Sequence, residues 1–176
     1  MNLKSNIVVI GMPGSGKSTL GRIVAQKRGL SFIDTDSLLE AHENMHIQDI
    51  VNRRGVKYLR KVERQILSDL DLENHLISTG GSAIYSRSAM QNLARDGVFL
   101  YLKISLLTLL KRVNNEASRG LAKMKSHPLP RLYAEREQLY AVRADISFSN
   151  DWPLSAISIE RLCHQLDEYF GHRRVN

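Results

Sequence analysis

Short apolar runs alternate along the chain with longer segments in which apolar residues recur every three or four positions. Short runs rich in β-branched residues are typical of buried strands, and the three-to-four spacing is typical of amphipathic helices. We predict five strands, over Asn6–Ile10, Ser31–Asp34, His75–Thr79, Val98–Ile104 and Asp145–Ser149. We predict helices over Lys17–Arg28, Ser37–Glu43, Lys57–Leu72, Arg87–Arg95, Leu106–Asn115, Pro130–Val142 and Leu154–Phe170.

This alternation of strands and helices predicts an α/β fold, in which helices cover both faces of a mostly parallel sheet. We expect a three-layer sandwich around a five-stranded parallel sheet. A single domain should span residues 1–176, because no linker divides the chain. The segment at about 114–129 mixes polar residues, Gly and Pro without periodicity. Because long irregular loops in compact domains are often functional, we predict a lid there, with a solvated connector as the alternative.

The formal net charge of +7 raises the question of an anionic partner. The basic residues are spread along the chain with few aromatic residues among them, so we expect no nucleic acid as a partner. No apolar stretch approaches a membrane-spanning length, and the N-terminus has no signal-peptide layout. The single cysteine, Cys163, cannot form a disulfide within the chain. We expect a cytoplasmic protein that does not bind membranes and is a monomer.

Residues 11–19, Gly-Met-Pro-Gly-Ser-Gly-Lys-Ser-Thr, match the phosphate-loop pattern G-x-x-x-x-G-K-[ST] in full. The glycines let backbone N–H groups turn inward around phosphate oxygens, and the helix that follows adds its positive end. Lys17 would reach the β- and γ-phosphates, and Ser18 would bind Mg²⁺. We therefore predict that the chain binds a nucleoside triphosphate. The nucleotide-binding residues would be Gly14, Ser15, Gly16, Lys17, Ser18 and Thr19.

Two carboxylates, Asp34 and Asp36, come directly after the second predicted strand. This places them at the carboxyl end of a strand, where open α/β sheets bind their ligands. Carboxylates beside a bound triphosphate can hold the Mg²⁺ shell or accept a proton from an attacking hydroxyl. The alternative is an ordinary acidic turn that caps a helix.

Beyond the phosphate loop, an ordered series of motifs over residues 6–150 resembles the shikimate kinase family. The series comprises Gly21-Arg22, Gly29-Leu30, Phe32, Asp34-Thr35-Asp36, Glu40, Ile47, Ile50, Gly55, Arg60, Glu63, Thr79-Gly80-Gly81, Val98, Leu100-Tyr101-Leu102, Arg119, Tyr133, Glu135-Arg136 and Leu139-Tyr140. The resemblance implies a fold like that of the P-loop nucleoside monophosphate kinases. It also implies transfer of the ATP γ-phosphoryl group to the 3-hydroxyl of shikimate, with Mg²⁺, in aromatic amino-acid biosynthesis.

The resemblance also implies roles for single residues at the substrate end of the site. Asp36 would bind the ring hydroxyls of shikimate and accept the proton of the attacked one. Asp34 would hold Mg²⁺ through water. Arg60 and Arg136 would bind the substrate carboxylate, which suits the forked donors of arginine. Glu63 would orient Arg60 on the same helix face.

The remaining roles that the resemblance implies concern close approach and phosphate charge. Gly80 and Gly81, with Ser82, would bring backbone N–H groups close to the ring of the substrate. Arg119 would be the lid arginine on the transferred phosphate, and Arg112 would flank the adenine. Catalysis would therefore depend on Lys17, Asp36 and Arg119.

The chain also departs from the family pattern. The third glycine of Gly-Gly-Gly is Ser82, and the Arg-Pro-Leu-Leu of the lid is Arg119-Gly120-Leu121-Ala122. Two aromatic residues of the substrate pocket are replaced by Leu59 and Val51. The ionic anchors are therefore retained, while the apolar walls differ.

Three alternative functions follow from the same residues. A related kinase could act on another hydroxylated acid such as gluconate, but gluconate kinases have Asp-Gly-Asp here and lack the pairing of Arg60 with Glu63. A non-catalytic nucleotide-binding homologue would have no need for the retained ionic anchors. The third alternative is a zinc metalloprotease, because residues 42–46, His-Glu-Asn-Met-His, match the motif H-E-x-x-H. The helix is expected to end around Asn44, so the two imidazoles would diverge and surface histidines are the favoured interpretation.

Overall fold

The computed structural model of the protein describes residues 4–115 and 129–172. Its strands are β1 (Asn6–Ile10), β2 (Ser31–Asp34), β3 (His75–Ser78), β4 (Gly97–Lys103) and β5 (Ile146–Ser149). Its α-helices are α1 (Lys17–Arg28), α2 (Thr35–Glu43), α3 (Ile47–Asp69), α4 (Arg87–Asp96), α5 (Leu106–Asn115), α6 (Leu129–Arg143) and α7 (Ala156–His172). A 3₁₀ helix, Ala83–Tyr85, follows β3.

The five strands form one parallel sheet in the order β2-β3-β1-β4-β5. In the central strand β1, Val8 pairs with Ile77 of β3 and with Phe99 of β4. Because all strands run in the same direction, their carboxyl ends meet at one edge of the sheet, where ligands of such folds bind. The predicted α/β fold with a five-stranded parallel sheet is confirmed.

The hydrophobic core lies on both faces of the sheet. Along β1 the side chains alternate, so that Val8 and Ile10 pack on one face while Ile7 and Val9 pack on the other. The first face is covered by apolar side chains of α3, α4 and α6, and the second by those of α1 and α7. Two-sided burial explains why β1 and β4 are continuous apolar runs rather than alternating ones.

Helix α3 differs most from the prediction, because it begins at Ile47 rather than at Lys57. The helix is interrupted at Gly55, whose φ of 81° and ψ of 166° are not helical. Only glycine adopts such a backbone conformation at low cost. The polar stretch Asn52-Arg53-Arg54 before this glycine hides the apolar periodicity of the first part of the helix.

Most of the predicted lid, residues 116–128, lies outside the described residues, and Arg119 and Gly120 lie there with it. Their predicted roles stay predictions. Among the residues that are described, no helix combines the length and the apolar character needed to cross a membrane.

Candidate active site

A cleft of ≈ 930 Å³ opens at the carboxyl ends of the strands. Its walls come from the phosphate loop, from α2 and α3, and from the loop after β3. The predicted site residues that line it are Gly14, Gly16, Lys17, Ser18, Thr19, Asp34, Asp36, Arg60, Gly80, Gly81, Ser82, Arg112 and Arg136. The structure therefore brings together nearly all of the residues that the sequence assigned to nucleotide, metal and substrate.

The phosphate loop has the conformation that its motif predicts. Gly14 and Gly16 have left-handed backbone angles, with φ of 79° and 93°, and α1 begins at the next residue, Lys17. A Cβ atom on Gly16 would lie 2.8 Å from the side-chain amide of Asn150. The Ser15 hydroxyl is buried and has no hydrogen-bond partner within the described part of the chain. A helix N-terminus beside an unpartnered donor is suited to a phosphate group.

The Lys17 side chain is buried against the loop that carries it. Its ammonium group donates hydrogen bonds to the carbonyl oxygens of Gly11 and Met12, at 3.0 and 2.9 Å. Burial lowers the pKa of Lys17 to about 8, and the nearby Asp36 carboxylate opposes this shift. The lysine therefore retains its charge at neutral pH and faces the cleft as a desolvated cation.

Both interpretations of Asp34 and Asp36 apply, because Asp34 caps a helix and both residues line the cleft. The Asp34 carboxylate accepts a 3.0 Å hydrogen bond from the backbone N–H of Asp36 and thereby caps α2. Loss of water inside the cleft, reinforced by the negative charge of Asp34, raises the pKa of Asp36 to about 6. Asp36 is thus mostly ionised at neutral pH and basic enough to accept a proton.

Oxygen atoms suited to Mg²⁺ lie beside the phosphate loop. The Ser18 hydroxyl lies 3.4 Å from the hydroxyl of Ser78, the last residue of β3, and Asp34 is the residue of β2 that pairs with Ser78. Hydroxyl, carboxylate and water oxygens are the ligands that Mg²⁺ prefers. The predicted metal residues, Ser18 and Asp34, therefore fit this ion. No motif in the sequence points to Ser78.

The loop after β3 approaches its neighbours so closely that it has no room for side chains. A Cβ atom on Gly80 would lie 2.7 Å from a carboxylate oxygen of Asp36 and would also collide with Glu63. A Cβ atom on Gly81 would lie 2.7 Å from the ring of Pro13 in the phosphate loop. The lack of side chains on these glycines therefore lets the carboxylates of Glu63 and Asp36 and the phosphate loop lie close together.

Glu63 does not pair with Arg60 as the sequence analysis expected. Among the described residues, the buried Glu63 carboxylate accepts a hydrogen bond from the Ser82 hydroxyl and forms no ion pair with Arg60. Burial raises the pKa of Glu63 to about 7, and the bond from Ser82 opposes this shift. The side chain that replaces the third glycine thus contacts an acid at the floor of the site.

Arg60 and Arg136 instead share an aromatic ring, that of Tyr85. The Arg60 guanidinium carbon lies 4.6 Å from the centroid of the ring and that of Arg136 lies 5.3 Å from it. Arg136 also donates a 3.3 Å hydrogen bond from Nε to the Tyr85 hydroxyl. No motif in the sequence pointed to Tyr85, because its role depends on which helices meet around it.

Arg112 ties together two loops at the nucleotide end of the cleft. Its guanidinium donates hydrogen bonds to the carbonyl oxygens of Gly14 and Ser15 in the phosphate loop, at 3.2 and 3.3 Å. It also donates a 2.7 Å bond to the carbonyl of Asn150, whose side chain in turn donates to Ser15. The loop after β5 is thus bonded to the phosphate loop.

The H-E-x-x-H segment does not have the continuous helix that this zinc motif requires. Helix α2 ends at Glu43, and Asn44 follows with a left-handed φ of 49°, so His42 and His46 do not share a helix face. Within the described ranges, no three histidine, cysteine or acidic side chains are grouped so as to hold a metal ion. The interpretation as surface histidines is supported, since both are exposed.

Comparison with known proteins identifies the family. A family model described as shikimate kinase matches residues 13–166. The chain belongs to the shikimate kinase family. A shikimate kinase of Sulfurihydrogenibium sp. (strain YO3AOP1) is 37% identical over 147 residues, which are 83% of this chain and 88% of that relative. Membership of this family makes the chain an ATP-dependent kinase that acts on an alcohol group.

Solved structures of the shikimate kinase family have the same fold. The enzyme from Aquifex aeolicus is 27% identical, with a TM-score of 0.75, and the match covers 97% of this chain and 99% of that one. The enzyme from Acinetobacter baumannii, solved in complex with shikimate, is 24% identical with a TM-score of 0.82. That match covers 99% of this chain and 97% of that one. The P-loop kinase architecture expected from the sequence is therefore confirmed.

Proposed function

We propose that the protein transfers the γ-phosphoryl group of ATP to the 3-hydroxyl of shikimate and that Arg60 and Arg136 bind the substrate carboxylate. The main observation in support of this proposal is the environment of Arg136. The residue is only 2% exposed, it lines the cleft, and within the described chain no carboxylate forms an ion pair with it. The Tyr85 hydroxyl to which Arg136 donates is neutral, and a buried cation without an ion-pair partner is costly, so an anionic substrate group would supply the missing negative charge.

The nucleotide would lie at the other end of the cleft, on the phosphate loop. The N-terminus of α1 and the buried Ser15 hydroxyl would bind the β- and γ-phosphates, and the ammonium group of Lys17 would exchange its bonds to the carbonyl oxygens of Gly11 and Met12 for phosphate oxygens. Mg²⁺, held by Ser18 directly and by Asp34 through water, would neutralise charge on the phosphates. Arg112, which already bonds the phosphate loop to the loop after β5, would flank the adenine.

The chemical step would take place between these two ends, beside Asp36. The oxygen of the substrate hydroxyl forms a bond to the γ-phosphorus while its proton passes to the Asp36 carboxylate. The bond from the γ-phosphorus to the bridging oxygen breaks, and ADP leaves. With a pKa of about 6, Asp36 is ionised and ready to accept this proton at neutral pH. Lys17, together with the predicted lid arginine Arg119, would stabilise the charge on the transferred group.

A relative supports the choice of acid, since the Acinetobacter baumannii enzyme was solved with shikimate bound. A coupled assay of ADP release should therefore show turnover with shikimate and little with quinate or gluconate. The methyl ester of shikimate, which has the same ring and no carboxylate charge, should be a poor substrate. Preferential use of gluconate, or no turnover with any of the acids, would disprove the assignment. The cytoplasmic location and the monomeric state stay predictions.

A further inference from the structure

Tyr85 lies between the two arginines that we assign to the substrate carboxylate. Arg60 stacks over its ring, with 4.6 Å between the guanidinium carbon and the centroid. Arg136 lies 5.3 Å from the same centroid and donates a hydrogen bond to the hydroxyl. One side chain therefore contacts both arms of the carboxylate site, although no motif of the family pattern includes it.

The backbone around Tyr85 is fixed by its own hydrogen bonds. Tyr85 closes the 3₁₀ helix, where its N–H donates a 3.1 Å bond to the carbonyl of Ser82. Ser82 is in turn bonded through its hydroxyl to Glu63 of α3. The 3₁₀ helix packs against both α3 and α6, the helices that carry Arg60 and Arg136. The ring is thus held at the junction of the two helices.

Two guanidinium groups that converge on one carboxylate repel each other before the carboxylate arrives. The negative face of an aromatic ring attracts a cation, so a ring beside both groups offsets part of this repulsion. Arg60 is exposed, and a long exposed side chain samples many rotamers unless it is held. Stacking on Tyr85 restricts Arg60 to an orientation that faces the cleft, so less entropy is lost when substrate binds.

We propose that Tyr85 is a positioning residue, which holds Arg60 and Arg136 in place as a preformed receptor for the substrate carboxylate. This inference rests on the function proposed above. Tyr85 does not itself contact the reacting groups, and its effect passes through the two arginines. Substrate acid should therefore bind more weakly when the ring is removed, while ATP binding and the maximal rate stay the same.

The test compares Tyr85→Leu and Tyr85→Phe in the full-length protein. Leucine removes the ring, and we expect KM and Kd for shikimate to rise about five- to tenfold, in line with partly desolvated cation–π contacts. Phenylalanine keeps the ring and loses only the hydroxyl, so we expect a rise of about twofold. KM for ATP and kcat should not change. A fall in kcat without a rise in KM for shikimate would overturn the proposal.

The matched control is Tyr58, whose ring is stacked in the same way by Arg54 at 4.8 Å but lies outside the cleft. Tyr58→Leu should leave KM for shikimate unchanged. A double-mutant cycle supplies the second readout: in an Arg60→Ala background, Tyr85→Leu should cost clearly less than in the parent. Equal costs in the two backgrounds would overturn the proposed coupling to Arg60. A parent protein that does not bind shikimate would overturn the proposed function, and the Tyr85 inference would fall with it.

Discussion

The Ser82 hydroxyl donates a hydrogen bond to the Glu63 carboxylate, which is buried in α3 beneath the glycine loop. This bond makes structural sense of one departure from the family pattern, since a serine in place of the third glycine supplies a buried acid with a donor. The same acid lies close enough to Gly80 that no side chain could fit between them. The conformation of the loop and the protonation state of Glu63 are therefore expected to depend on each other.

Replacement of Ser82 by alanine should destabilise the fold. At pH 8 the Glu63 carboxylate would lose its donor while it stays buried, and an unsatisfied buried acceptor costs about 1–3 kcal/mol. Urea unfolding should show a lower free energy of unfolding for Ser82→Ala. Ser88→Ala, which removes an exposed hydroxyl of the same region, is the control and should change stability little. Equal stabilities of the two variants would show that the bond does not contribute.

The raised pKa of Glu63 predicts the direction of the pH dependence of stability. Folding raises this pKa from 4.5 to about 7, so between these values the folded protein holds the proton more tightly than the unfolded chain does. The free energy of unfolding should therefore fall as pH rises from 4.5 to 7, by on the order of 3 kcal/mol from this group. Asp36, raised from 3.8 to about 6, acts in the same direction at lower pH. Denaturation at several pH values should show that the free energy of unfolding of Glu63→Gln depends less on pH than that of the parent. An equal dependence on pH would contradict this prediction.

Loss of the Arg112 side chain should weaken the binding of ATP and should leave the binding of shikimate unchanged. Arg112→Ala removes the bonds that hold the phosphate loop to the loop after β5, so the loop has to be ordered when ATP binds. We expect KM for ATP to rise about tenfold, the effect of a lost charge-assisted contact, with KM for shikimate unchanged. Lys111→Ala, an exposed neighbour on α5, should behave like the parent. An increase in both KM values would mean that Arg112 supports the whole cleft.

Local signals in the sequence account for much of the fold and of the site. The bounds of β1, β2, α1 and α5 agree with the prediction, because strand runs and helix periodicity there are bounded by glycine or polar caps. Helix α7 begins at Ala156 and not at the predicted Leu154, because the Ser155 hydroxyl accepts a hydrogen bond from the N–H of Ser158 and caps the helix. The phosphate-loop residues could be predicted from a motif of fixed spacing, and the other residues that line the cleft could be predicted from the resemblance to the family.

Contacts that depend on tertiary packing could not be predicted from the sequence. The ring of Tyr85 meets Arg60 of α3 and Arg136 of α6 only after both helices pack on the 3₁₀ helix. The resemblance to the family implied Arg60 as the partner of Glu63, but the packed loop presents the Ser82 hydroxyl to this carboxylate instead. Spacing along one helix specifies which side chains share a face, and it does not specify what the rest of the fold places against that face.

Asp36 should control the rate through its protonation state. In the parent, kcat should rise as pH increases through about 6, because the ionised carboxylate accepts the hydroxyl proton. Asp36→Asn keeps a polar group of the same size but cannot accept the proton. We expect kcat to fall by about 10²–10⁴-fold, with a smaller change in KM for shikimate and without the rise near pH 6. Asp49→Asn, which changes another acid of the cleft wall, is the control. A pH profile that survives in Asp36→Asn would assign the proton to another group.

Arg60 and Arg136 give the sharpest test of where the acid binds. If both guanidinium groups hold the carboxylate, either arginine changed to alanine should weaken shikimate binding by about 2–4 kcal/mol, the cost of removing one partner of a desolvated charge pair. ATP affinity should stay the same, since neither side chain contacts the phosphate loop through a hydrogen bond or an ion pair in the described structure.

Arg64→Ala is the matched control for this pair, because Arg64 lies one turn after Arg60 on α3 and its exposed side chain is not part of the cleft wall. Since Arg136 is buried, Arg136→Lys keeps the charge and tests whether loss of affinity in the alanine variant comes from the missing fork or from a disturbed fold. Calorimetric titration of shikimate and of ATP against the four variants separates these cases. If Arg60→Ala and Arg136→Ala both bind shikimate as the parent does, the carboxylate lies elsewhere, and the buried guanidinium of Arg136 must serve a different anion.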